Sequence, residues 1–187
     1  MKNFNKNLLI KNMNKTKSCT IRINPNLTSI ASASSSTTEK FLNKIMCVSS
    51  FIYDKKNNKV CIIKRNTSPC YDKYTFPGGK METTDKNYLE ATKREIFEET
   101  GYKISFPQYN LIEGIDYLPN YFILVSLSIL ESRAEDSVLD NHEIKNLGWF
   151  TQEEANKFIT DENSSADFLT YVNKGFDLVK INRLNNI

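Results

Sequence analysis

Glu90, Glu95, Glu98 and Glu99 stand with Arg94 in one short stretch of this 187-residue chain. Glu95 and Glu98 are spaced i,i+3, and Glu95 and Glu99 i,i+4, so on a helix three carboxylates share an arc of about 100°. Arg94 lies i,i+4 from Glu98, within reach of the same cluster. Three crowded carboxylates repel one another unless a cation neutralises them. Hard divalent ions with oxygen ligands, Mg²⁺ above all, are the natural partner. The competing interpretation is a solvated acidic helix face.

Two elements must position these groups. Upstream, Phe76-Pro77-Gly78-Gly79-Lys80 forms a short glycine loop. There the backbone is free to take positive φ and to expose its carbonyls and amides. Pro77 biases Phe76 towards extended geometry, suited to a strand end. A polar linker follows, and the pattern then predicts a helix from about Asn87 to Thr100, with Asp85 as N-cap and Gly101 as the C′ residue. Leu89 and Ile96, at i,i+7, point to a neighbouring face suited to a core.

Arg94-Glu95-Ile96-Phe97-Glu98-Glu99-Thr100-Gly101 resembles the second half of the Nudix hydrolase signature, G-x5-E-x7-R-E-U-x-E-E-x-G-U with U aliphatic, at every fixed position. Gly79, Lys80, Glu82, Glu90 and Ala91 also match what the family usually shows. Three departures stand out. Asp85 replaces the first Glu, the spacer from Asp85 to Arg94 is one residue longer, and Tyr102 occupies the final aliphatic position. The first two fall before the helix's carboxylate half and bear on the role of Asp85, not on the three glutamates.

Composition sets the outer bounds. The chain is 40% hydrophobic and 25% charged, fractions typical of a soluble globular protein. A net charge of +3 and a pI near 8.5 are too weak to indicate nucleic acid by themselves. The cysteines Cys19, Cys47, Cys61 and Cys70 show no C-x-x-C spacing, and His142 is the only histidine, so no zinc set emerges. Cys47 and Cys61 lie in apolar runs and are expected to be reduced, which suits a reducing compartment. No apolar run approaches the length of a membrane span. A soluble, cytoplasmic protein is expected, with organellar targeting by the N-terminal segment as the minor alternative.

In chain order, residues 1–40 are Lys/Asn-rich and then Ser/Thr-rich, and a disordered basic tail is expected. A short strand over Ser18 to Ile23 is the one element read within it. A single domain should occupy 41–187. Strands are expected at Ile45 to Tyr53, Val60 to Arg65, Tyr74 to Phe76, Tyr102 to Phe106, Leu111 to Tyr117, Asn120 to Leu130 and Ile144 to Phe150. Asp54 to Lys59 reads as a hairpin turn and Glu131 to Asn141 as a polar loop. Thr151 should cap a helix over Gln152 to Ile159, and an amphipathic helix should run from Asp167 to Arg183, with Gly175 a weak point inside it. This order suits an α/β protein with a mixed sheet between helices. The resemblance likewise implies an α/β/α sandwich.

The resemblance further implies metal-dependent hydrolysis of a diphosphate linkage in a nucleoside diphosphate joined to another moiety. Mg²⁺ is the implied cofactor, with Mn²⁺ as its substitute. Carried over by position, Glu98 and Glu99 correspond to metal ligands, Glu95 to a ligand or the general base, and the Gly78 carbonyl to a further ligand. Arg94 corresponds to the arginine that orients the catalytic glutamates. Family members often complete the site from a later loop; Glu143 is the candidate, with Asp140 behind it. Lys80 is placed to touch a phosphate. Tyr117 and Tyr121 are offered as substrate-binding rings, alongside Tyr71, Tyr74 and Phe106. Trp149 reads as core. The expected partner is a small nucleotide-like substrate, with no membrane. An mRNA-decapping hydrolase and a non-catalytic nucleotide- or RNA-binding module are the alternatives, and a homodimer is compatible with everything above.

Overall fold

The computed structural model describes residues 44–117, 120–133 and 142–185. The tail expected over 1–40, its short strand and Asp140 lie outside the described residues. Apolar, β-branched and aromatic runs form β1 (Ile45–Asp54), β2 (Lys59–Arg65), β3 (Tyr74–Thr75), β4 (Tyr102–Ser105), β5 (Leu111–Tyr117), β6 (Tyr121–Arg133) and β7 (Ile144–Phe150). The helices are α1 (Tyr88–Thr100), α2 (Gln152–Phe158) and α3 (Phe168–Asn185). Among the described residues no helix is long and apolar enough to cross a membrane.

The seven strands make one mixed sheet in the order β3-β2-β1-β6-β4, with β5 also paired to β6 and β7 to β2. β1 and β6 run parallel in register from Ile45↔Tyr121 to Tyr53↔Ile129 and form its spine. β6 serves three neighbours because it is long. Its first half bonds β5 and its second half bonds β4. This pairing carries β6 on to Arg133, so Glu131, Ser132 and Arg133, read from sequence as the start of a loop, are strand. The polar side chains misled because that end is solvated on its faces while its backbone bonds to Tyr102 and Lys103.

Strand alternation sorts the core into two layers. On one face Phe51, Tyr53, Val60, Ile62, Val125 and Leu127 pack beneath α2 and α3. On the other, Ile52, Cys61 and Ile104 pack against Ile96 of α1. The sheet is thus covered on both sides, the α/β/α sandwich expected. Ser50, Ser126 and Ser128 are fully buried in the spine, and the Ser50 and Ser128 hydroxyls hydrogen-bond each other at 2.8 Å. These small, mutually satisfied side chains avoid the cost of burying unpaired hydroxyls.

Helix ends follow local chemistry. Thr151 and Glu154 form a reciprocal capping box at α2. The α1 N-cap is Asn87 rather than Asp85. Its Oδ1 accepts from Leu89 N–H at 2.9 Å and Glu90 N–H at 3.1 Å, a contact worth ~1 kcal/mol. Gly101 closes the helix in the left-handed region at φ 67°.

α3 runs unbroken through Gly175, which is a contact point instead of a weak one. A Cβ there would lie 2.3 Å from Cδ2 of Phe51. That ring is fully buried against Phe176 at 5.0 Å and Phe76 at 5.6 Å between centroids, so it has no room to retreat. Gly175→Ala gains about 1 kcal/mol in helix propensity but overpacks the core at a cost of about 1–3 kcal/mol. Chemical denaturation of the variant should give a lower midpoint than wild type. A higher midpoint would show that α3 yields at this contact.

Candidate active site

The glycine loop docks on the first half of β1 as though it were a strand. Val48 N–H donates to Gly79 O, Ser50 N–H to Pro77 O and Met81 N–H to Met46 O, each at 2.9 Å. A Cβ on Gly78 would sit 2.2 Å from Val48 O, and one on Gly79 2.3 Å from Glu95 Oε2. Gly78 also adopts φ 149°, a conformation side chains resist. Only glycines therefore let the loop lie between β1 and the carboxylates of α1.

Arg94 gathers the surrounding pieces. Its Nε and Nη2 donate to Asp85 Oδ1 at 3.1 Å and Oδ2 at 2.8 Å. Nη2 also donates to Lys80 O at 3.0 Å, and Nη1 to Glu95 Oε1 and Glu98 Oε2 at 3.0 Å each. Guanidinium hydrogen bonding holds the Asp85 carboxyl below the usual carboxylate range, helped by Glu82 N–H, which donates to Oδ2 at 2.8 Å. The displaced acidic residue thus has a definite place. The shorter Asp reaches Arg94 across a spacer one residue longer, and this pairing explains why it does not cap α1.

Glu99 is 7% exposed and accepts from Gly78 N–H at 2.6 Å. Burial pushes its carboxyl up to about 8. The Gly78 amide and the Arg65 guanidinium oppose that shift, and Glu95 and Glu143 add to it. Glu95 is also raised, first by burial; Arg94 opposes the shift, and Glu98 and Glu143 reinforce it. Among the described residues no three His, Cys, Asp or Glu side chains are already gathered into a metal cluster. The donor set still fits a hard divalent cation. It is all oxygen, and neighbouring carboxylates add to burial in disfavouring the charge of Glu95 and of Glu99, which a cation would oppose.

Glu143 belongs to this neighbourhood by its field on both inner glutamates. Asn66 fixes it there, donating its N–H to Glu143 O at 2.7 Å and its Nδ2 to His142 O at 3.0 Å. Lys80 is exposed at the rim, bridging to Cys47 of β1 through the backbone. Tyr117 and Tyr121 face each other across the β5–β6 ladder. Tyr117 shares a 3.0 Å hydrogen bond with Cys70 Sγ. The Glu82 carboxylate meets Thr84 Oγ1 at 3.5 Å. Trp149 packs with Tyr102 and the α1 side of the core, as expected, and Arg133 lies 5.2 Å over its ring.

Arg65 is the residue the sequence reading missed. It ends β2, its side chain is 17% exposed, and Nη2 is 3.9 Å from Glu143 Oε2. Its Nε donates to Pro69 O and its Nη2 to Thr67 Oγ1, both at 3.1 Å. With Lys64 beside it at the end of an apolar strand it reads as solvated, yet strand alternation puts Arg65 on the face of Cys61, which packs against Ile96 of α1.

The buried glutamate makes a pH prediction for the metal-free chain. Its folded pKa of about 8 exceeds the ordinary 4.5, so between these values the folded state holds a proton that the unfolded chain releases. The associated stability is complete below about pH 4.5 and is lost as pH rises through about 8. In chelator, Glu99→Gln should gain on wild type by a few kcal/mol, order of magnitude, from acid to mildly alkaline pH. Denaturation curves that stay parallel across that window would rule this out.

Residues 44–172 match the family model of the NUDIX domain. Comparison with curated proteins found no match. Among solved structures, a NUDIX hydrolase from Nitrosomonas europaea is similar at a TM-score of 0.59 and 18% identity, over 73% of this chain and 90% of that one. A MutT protein from Methanosarcina mazei Go1 is similar at 0.56 and 20%, over 73% and 96%. A NUDIX-family hydrolase from Clostridium perfringens is similar at 0.56 and 22%, over 73% and 99%. These likenesses bear on the fold. With the domain match over most of its length, the chain belongs to the NUDIX family and is a hydrolase acting on a pyrophosphate bond.

Proposed function

We propose that the protein hydrolyses the diphosphate linkage of a small nucleotide, a nucleoside diphosphate joined to another moiety, in a reaction that depends on Mg²⁺ or, in its place, Mn²⁺. The observation that carries this reading is the gathering of Glu95 and Glu98 on one guanidinium at 3.0 Å each, with Glu99 buried beside them on the Gly78 amide, on a chain that keeps every glutamate of its helix motif. Glu95, Glu98 and Glu99 would hold the cation, with the Gly78 carbonyl and Glu143 beside them. When bound, the ion neutralises pyrophosphate oxygens and makes water acidic enough to attack phosphorus at neutral pH.

The remaining roles fall to side chains already placed. Glu95, half-buried with its carboxyl raised, suits the general base that takes the proton of the attacking water. Arg94 keeps that base and Glu98 oriented while Asp85 orients Arg94. Arg65, 3.9 Å from Glu143 and felt by Glu99, supplies positive charge towards the phosphates. Lys80 at the rim meets them first.

Product release would be measured on nucleoside triphosphates, nucleotide sugars, dinucleoside polyphosphates and a capped RNA, with Mg²⁺, with Mn²⁺ and with chelator. Turnover of a small nucleotide that disappears in chelator is expected. Silence on every small nucleotide by a folded protein would sink the substrate class, and turnover of capped RNA alone would replace it. Glu99→Gln should lower kcat by about three orders of magnitude or more while the protein stays folded. Asp85→Asn leaves Arg94 its other partners, so it should lower kcat by roughly ten- to a hundredfold, the loss expected when an outer residue that orients a ligand is weakened. An Asp85→Asn enzyme as fast as wild type would mean that Arg94 is held by the helix alone.

A further inference from the structure

Glu143 reaches the carboxylate site from an exposed position. It stands one residue before β7, and its side chain is 59% exposed. Left to itself such a side chain spreads over many rotamers, and ordering it costs entropy. Yet it has a definite place. Its charge acts on both Glu95 and Glu99, and its Oε2 lies 3.9 Å from Nη2 of Arg65. The direction in which its Cβ leaves the backbone must therefore be set.

Asn66 sets it. Its N–H donates to Glu143 O at 2.7 Å and its Nδ2 to His142 O at 3.0 Å. These carbonyls belong to the two peptide planes that flank the Cα of Glu143. Each plane is rigid, and only φ and ψ lie between them. Holding both planes restrains both dihedrals, and with them the Cβ direction. Asn66 is itself exposed, so core packing does not account for an asparagine at this position.

The loop that carries Asn66 is braced in turn. The Arg65 backbone donates to Lys73 O and accepts from Asp72 N–H, each at 3.0 Å. Its guanidinium donates to Pro69 O and Thr67 Oγ1, both at 3.1 Å. Asp72 Oδ1 meets Lys64 at 3.0 Å and Lys145, two residues beyond Glu143, at 2.8 Å. Both ends of this loop thus hold the segment around Glu143, Asn66 at one and Asp72 at the other.

We propose that Asn66 is a positioning residue of the carboxylate site: by pinning the two peptides around Glu143 it holds that carboxylate beside the inner glutamates, where it completes the surroundings of the divalent cation. The proposal rests on the metal-dependent hydrolase reading above. Asn66 itself touches neither cation nor substrate and acts through Glu143.

Mn²⁺ binding to the full chain would be followed by electron paramagnetic resonance of the free ion, for wild type, Asn66→Ala, Glu143→Gln and the double variant. Asn66→Ala removes the Nδ2 donor and keeps the backbone N–H. It should weaken Mn²⁺ binding about tenfold, as when an outer residue that orients a ligand is lost, in a protein that denaturation shows to be folded. In the Glu143→Gln background the same change should cost less than about twofold, because no carboxylate is left to place. Turnover with Mg²⁺ should repeat this pattern in kcat. Two effects that multiply in full, wild-type binding by Asn66→Ala, or an Asn66→Ala chain that does not fold overturns the proposal. So does a Glu143→Gln variant that binds Mn²⁺ like wild type. The expected Mn²⁺ pattern in a protein that turns over no nucleotide supports the placement of Glu143 and sinks the hydrolase reading alone, since the binding cycle is read without substrate. A wild type that binds no Mn²⁺ overturns both.

Discussion

Everything at the carboxylate site depends on the fork of one guanidinium. Arginine has five N–H donors in a rigid plane. In Arg94 they reach Asp85 twice, Lys80 O, Glu95 and Glu98. Those partners belong to the glycine loop, the linker and α1, three segments with little apolar surface to hold them together. Without the cation, Glu95 and Glu98 would share one helix face with no donor bonded between them. Lysine would not serve, since a single ammonium cannot span carboxylates in this geometry. The Asp85 substitution and the extra spacer residue together leave the fork filled, and are best understood as one change.

Close approach is the second constraint, and backbone supplies it. Gly78 and Gly79 have no room for a Cβ, and the amide of Gly78 is the donor that holds the buried Glu99. The loop is in turn stitched to β1, whose other edge is the parallel spine with β6. Glu99 is thus indexed to the parallel spine of the sheet. A carboxylate held so rigidly and so dry keeps its proton more readily than an exposed one, hence the raised pKa.

How much of this was legible in the sequence varies with how local the cause is. The α1 end at Gly101 and the α2 cap at Thr151 are decided within a few residues, and both were read correctly. The α1 start was misread because Asp85 has a stronger partner nine residues further on, which no cap rule can see. β6 was cut short at Leu130 because Glu131 to Arg133 look solvated; the pairing with β4 that extends it is long-range. Gly175 reads as a helix defect until Phe51 is known to press against it. Glu143 was found only through the family's habit. Asn66, 77 residues earlier, is what holds its backbone in place. Arg65 was passed over because a cation at a strand end looks solvated, although alternation from Cys61 sets it on the α1 face.

The first half of β1 is where the site meets the sheet. One of its edges carries the glycine loop, and through it the carboxylates. One of its faces is left half-covered, since α3 packs further along the strand, over Phe51 and Tyr53. The field of Arg65 reaches both Glu99 and Tyr117. The Tyr117 hydroxyl is pushed up to about 12, first by its bond to Cys70 and then by burial, so it stays a neutral hydrogen-bonding group at any physiological pH. Charge is thus gathered at the carboxylates, while the pair of Cys70 and Tyr117 stays neutral. Arg65 is felt at both, and its neighbour Asn66 ties Glu143 to the charged one.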